Sequence, residues 1–106
     1  MSRNIEQVNE LLMRELAQVI SREIPMEEGF ISISYVKCSP DFQSAEVGFS
    51  VLPDEKTFFA LKKLRKSGPY LLKLIQKRIR LSRLHKLNWI IDQGLLTNTA
   101  PEKNPE

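Results

Sequence analysis

The sequence predicts a single α+β domain in the order α-β-β-α-α-β, with a three-stranded sheet packed on helices. Three observations carry this. Apolar residues recur at three- and four-residue steps near the start of the chain and again in its second half, which is the mark of amphipathic helices. Between those stretches, two short segments alternate apolar and polar residues, as strands with one covered face do. The 106 residues are the length of one domain and leave no room for a second core.

In the first element, Ile5, Val8, Leu12, Leu16 and Val19 fall on one side while Glu6, Asn9, Glu10, Arg14, Gln18 and Arg22 fall on the other, which predicts a helix over residues 3–23. Pro25 and Gly29 end it. Ile31, Ile33 and Tyr35 then alternate with Ser32 and Ser34, and Ala45, Val47, Phe49 and Val51 alternate with Glu46, Gly48 and Ser50, giving two strands of a hairpin joined through a Ser39-Pro40-Asp41 turn. A second helix opens at Pro53-Asp54-Glu55 and runs to about Lys66, its acids at the positive end of the helix dipole and its bases at the negative end. Ser67-Gly68-Pro69 interrupts the pattern, and Leu71, Leu72, Leu74, Ile75 and Ile79 restart it as a third helix. Leu87, Trp89 and Ile91 alternate with polar neighbours and predict a last strand in the same sheet. A folded domain is thus expected over residues 1–96, and residues 97–106, which have little to bury, are expected to form a disordered C-terminal tail.

Hydrophobic residues make up 42% and charged residues 27%, as in ordinary globular proteins. The single cysteine, Cys38, has no intramolecular partner, no stretch reaches the roughly 18 apolar residues that span a bilayer, and the N-terminal residues lack the apolar core of a signal peptide. A cytoplasmic protein is expected. The charge is segregated: residues 56–91 hold eleven of the sixteen basic residues and none of the thirteen acids, whereas residues 1–55 hold four basic and ten acidic residues. A solvated helix face normally mixes its signs, so a window of one sign predicts a surface for a polyanion, with nucleic acid foremost.

Enzyme chemistry finds little support. His85 is the only histidine and no motif gives it a nucleophile, a metal partner or a second acid–base group. Asp41 suits its turn, Cys38 suits a buried strand end, and no Gly-rich phosphate loop is present. No catalytic residue, metal site or cofactor is expected.

Three stretches are similar to the ribosome-binding factor A family. They are Arg14-Glu15-Leu16-Ala17-Gln18-Val19-Ile20-Ser21-Arg22-Glu23-Ile24 in the first helix, Val36 to Val47 with its Ser39-Pro40-Asp41 and Ala45-Glu46-Val47, and Leu87-Asn88-Trp89-Ile90-Ile91-Asp92 in the last strand. The resemblance implies a type II KH-like fold in which an Ala-x-Gly kink between the central helices replaces the GxxG loop, and Lys66-Ser67-Gly68 occupies that place here. Pro25-Met26-Glu27-Glu28-Gly29 and His85-Lys86 also depart from the family pattern. It further implies a non-enzymatic ribosome biogenesis factor, acting as a monomer without a membrane, that binds the small ribosomal subunit through its ribosomal RNA and assists late maturation and rRNA processing.

The residues expected to meet RNA are Lys66, Ser67 and Gly68 at the kink, Lys73, Lys77 and Arg80 on one helix face, and Arg83 and Lys86 beyond it. At the kink, either the N–H groups of Gly68, Tyr70 and Leu71 form a helix-start phosphate site beside Lys66, or the break only lets two helices wrap the sheet; the residues leave both readings open. No glycine stands three residues from another, so recognition through phosphates and shape is expected in place of GxxG sequence reading. Trp89 and Tyr35 stand on the apolar register of their strands and are expected in the core. The alternative reading is a basic protein-interaction module docking on an acidic partner or an anionic membrane surface.

Overall fold

In the computed structural model, residues 4–92 are described, so the expected tail over 97–106 and the last residues of the expected domain lie outside the described residues. The first helix, α1 (Ile5–Glu23), begins at Asn4, whose side-chain oxygen accepts from the Glu6 N–H at 2.7 Å and caps the orphan donors of the first turn. Its apolar stripe, Val8, Leu12, Leu16, Val19 and Ile20, is buried. Strands β1 (Phe30–Cys38) and β2 (Ser44–Leu52) form the antiparallel hairpin. A 3-10 turn, Asp54–Lys56, follows a cis Leu52–Pro53 bond and leads into helix α2 (Thr57–Arg78). Strand β3 (Lys86–Ile91) pairs parallel to β2, giving the sheet order β1-β2-β3.

The hairpin turn is built as its sequence requires. Ser39 Oγ donates to Asp41 Oδ1 at 2.7 Å, and the Gln43 N–H donates to the same oxygen at 3.1 Å. These hydrogen bonds, that from Ser39 foremost, hold the Asp41 carboxyl below the usual carboxylate range. Phe42 takes a left-handed φ of 61° here, and its ring packs on the core.

Both helices cover the same face of the sheet. Ala45, Val47, Phe49 and Val51 of β2 are at most 1% exposed beneath them, and Trp89 of β3 meets Phe49 edge to face at 6.4 Å between ring centres. Trp89 is therefore a core residue, as its register predicts. Tyr35 is not. A bulge between Ile33 and Tyr35 shifts the pairing so that Ile33 lies opposite Phe49 but Tyr35 opposite Gly48, which turns the tyrosine onto the outer face. Its ring occupies the space that a Cβ on Gly48 would need, and its hydroxyl donates to Glu46 Oε2 at 2.7 Å.

The chain keeps its predicted element order, but the two central helical segments are not separated. Helix α2 passes through Ser67-Gly68-Pro69 without a break. Pro69 deprives the carbonyl of Arg65 of one donor, at a cost of about 3 kcal/mol in a helix interior. Against that, Leu61, Leu64, Leu71, Leu72 and Ile75 are all buried on one side, and each is worth about 1.5–3 kcal/mol when removed from water. Running both halves as one continuous helix satisfies that stripe, and the burial outweighs the local signal. The helix also ends earlier than the Lys73, Lys77, Arg80 spacing implies. Ile79 is extended, with φ −135° and ψ 157°, because Ile79, Leu81 and Leu84 turn inward to close the core. Arg80 thus lies in the following loop and not on the helix face.

Gly29 and Gly68 play opposite parts. Gly29 has φ +102°, and a Cβ there would collide with the Leu52 carbonyl oxygen, so only glycine fits. Gly68 is helical, and a Cβ there would meet only Trp89 Nε1 at 3.4 Å, an ordinary contact. Gly29→Ala should lower stability by about 1–3 kcal/mol, whereas Gly68→Ala should be neutral or add up to about 1 kcal/mol, as read by denaturant unfolding. Burial and the Glu46 hydrogen bond raise the Tyr35 hydroxyl from 10.0 to about 12. A raised folded-state value means that this contact stabilises the fold below pH 10 and is lost as pH rises from 10 towards 12. Tyr35→Phe should therefore reduce the loss of melting temperature across that interval.

Candidate nucleic-acid interface

The buried stripe of α2 fixes what the rest of the helix presents. With one residue every 100° or so, packing Leu64, Gly68, Leu71 and Ile75 on the sheet turns Lys62, Lys63, Lys66, Lys73 and Lys77 to solvent, and all five are exposed. No acid occurs within α2. Among the described residues, the only α2 cation in an ion pair is Arg78, which leans onto α1 and donates to Glu15 and, at 3.2 Å, to Gln18. The acids of the N-terminal half thus neutralise the α1 side of the helix and leave the outer side uniformly positive.

Between α2 and β3 runs a groove of about 320 Å³. Gly68, Leu72, Leu87 and Trp89 form its apolar floor, while Arg65, Lys73, His85 and Lys86 stand around it. The turn that carries Arg83, His85 and Lys86 is held by two contacts. Gln76 Nε2 donates to the Leu84 carbonyl at 2.5 Å, and the His85 N–H donates to the Gln43 carbonyl of the hairpin turn at 3.0 Å. An exposed cationic rim over an apolar floor can hold an anion or a flat ring; no side chain here forms a nucleophile–base pair, and no group of three or more metal-ligating side chains occurs among the described residues.

Of the eight residues expected from the sequence, Gly68, Lys73 and Lys86 line the groove together. Lys66 and Lys77 are exposed on the outer face of α2, and Arg83 is exposed in the turn before β3. Arg80, also exposed, borders a separate depression with Gln76, Leu81 and Ser82. Ser67 is half-buried, on the side of α2 away from the groove. The helix-start phosphate site does not form, because Gly68, Tyr70 and Leu71 are inside a helix and their N–H groups point back along it, where they cannot meet a ligand. Arg65, Pro69 and His85 line the groove without being expected there. Arg65 and Pro69 share the four-residue repeat of Leu64 and Gly68, one step around the helix, and that repeat is the signal that identifies them.

Fold and site together define a small KH-like domain with one basic helix face. The family model for ribosome-binding factor A matches residues 4–103. Ribosome-binding factor A of Legionella pneumophila is 30% identical over an alignment covering 94% of this chain and 86% of that protein, and the one of Agathobacter rectalis is 33% identical over 83% and 75%. The crystal structure of ribosome-binding factor A from Thermus thermophilus superposes with a TM-score of 0.72 at 23% identity, covering 84% of this chain and 97% of that one. The chain belongs to the ribosome-binding factor A family.

The groove depends on the turn before β3. Gln76→Ala would leave the part-buried Leu84 carbonyl unpaired, and should cost about 1 kcal/mol and speed amide hydrogen exchange at residues 82–86 while that of α1 stays unchanged.

Proposed function

We propose that this protein is a non-enzymatic ribosome assembly factor that binds the small ribosomal subunit through its ribosomal RNA and assists late maturation and rRNA processing. The observation that carries the reading is the unpaired basic face of α2, continued through Arg83 to Lys86 at the start of β3. Membership of the family supplies the ribosome as partner, and with it a cytoplasmic location. Lys66, Lys73, Lys77, Arg80, Arg83 and Lys86 are the side chains assigned to phosphates; Gly68 lines the groove floor between them, and Ser67 has no assigned contact. The protein works as a monomer and needs no cofactor.

Phosphate contact without base reading has a thermodynamic signature. If about five phosphates are neutralised, log K for subunit binding should fall against log salt with a slope of about −3.5 to −4.5, and ribonuclease treatment of the subunits should abolish co-sedimentation. An anionic membrane surface is the weaker reading, since the main apolar stripe of α2 is spent on the sheet, and no helix among the described residues is long and apolar enough to cross a membrane.

Lys56 provides the internal control. It stands before the first turn of α2, about 30 Å along the axis from Lys77. Lys77→Glu and Lys73→Glu should weaken subunit binding about tenfold or more with little change in melting temperature, because an exposed charge contributes at most about 1 kcal/mol to folding. Lys56→Glu should do much less. Equal losses from Lys56→Glu and Lys77→Glu would reduce the effect to net charge and remove the residue assignments.

A further inference from the structure

We infer that Tyr70 is a stacking platform for an unpaired nucleotide, so that the RNA lying along α2 contains a bulge, a loop or an end at that point. This rests on the RNA reading above and adds to it a contact that phosphate recognition does not need. Tyr70 is 53% exposed in the middle of α2. Lys66 and Lys73 lie one turn to either side of it and Lys63 and Lys77 two turns away, and all four point within about 60° of the tyrosine around the helix axis. All four are exposed, and none has an acid partner among the described residues. The ring is thus set between Lys66 and Lys73, about 10 Å apart along the axis, with Lys77 one turn further on.

The other exposed rings are placed differently: Phe30 begins β1, away from α2. Phe58 and Phe59 stand in the first turn of α2, where Phe59 shares a depression with Glu27 and Glu28 and its face is taken by the Lys63 ammonium at 5.6 Å from the ring centre. Tyr70 has no hydrogen-bond or ring partner among the described residues. Flanking lysines hold a phosphate backbone against the helix, and an aromatic face among them gains only if a base lies flat on it. In a regular A-form duplex the base faces are stacked on one another, and only an unpaired nucleotide offers one.

The test compares a blunt-ended RNA duplex with the same duplex carrying a single-nucleotide bulge, each end-labelled and titrated with the protein by fluorescence anisotropy. Tyr70→Ala and Tyr70→Leu should lower affinity for the bulged RNA about five- to hundredfold, leave the blunt duplex and both salt slopes unchanged, and Tyr70→Phe should bind both RNAs as the unaltered protein does. Tyr70→Leu keeps the helix propensity and an apolar side chain while removing the ring, so a loss shared with Tyr70→Ala reports stacking and not unfolding. If Tyr70→Ala and Tyr70→Leu bind the bulged RNA normally, or lose both RNAs equally, the stacking role is overturned while the phosphate reading stands. If the unaltered protein binds neither RNA in a salt-dependent way, the RNA reading fails and the stacking role fails with it.

Discussion

Everything in this fold answers to the burial of one face of β2. That strand has a neighbour on either side, and its inner residues, Ala45, Val47, Phe49 and Val51, are closed off from water by α1 and α2 together. Neither helix covers them alone. α1 lies towards β1, where Asn9 Oδ1 accepts the Cys38 N–H at 2.8 Å, and α2 lies towards β3, where Gly68 faces Trp89. Because a sheet in this arrangement has one covered face, both helices must spend their apolar stripes on it. What they turn to solvent follows from that obligation.

The consequence for charge is direct. Glu15 and Gln18 of α1 reach across to Arg78, so the inter-helix seam is where opposite signs meet. Of the remaining α2 cations, Arg65 and Lys73 face the groove beside β3, whose first residue is itself Lys86, and Lys66 and Lys77 lie on the outer face. The segregation visible along the chain is thereby converted into segregation in space. Burial of Cys38, which pushes its thiol up, keeps that thiol off the surface.

Elements with a clear period are legible in the sequence: α1, the hairpin, its Ser39-Pro40-Asp41 turn and β3 all lie where periodicity and turn chemistry put them. The failures share a cause. Local rules make Pro69 a break and Ser34 one more alternating residue, whereas the helix continues and the strand bulges to serve long-range packing on β2. Extending the helical repeat past Arg78 puts Arg80 on a face that the inward turn of Ile79 abolishes. The groove is hidden for the same reason, since Arg65, Pro69 and His85 come together only once α2 and β3 are packed side by side.

The unbroken α2 has one more implication. Its 22 residues extend over about 33 Å, with cations at intervals set by the backbone and not by a mobile loop. A flexible clamp moulds itself to its ligand and loses entropy in doing so; a rod arrives already ordered and cannot adapt. Any polyanion that engages its whole length must offer its own charges at intervals that match the helical repeat. The helix is a gauge, and a partner that bends away forfeits contacts from the ends inward.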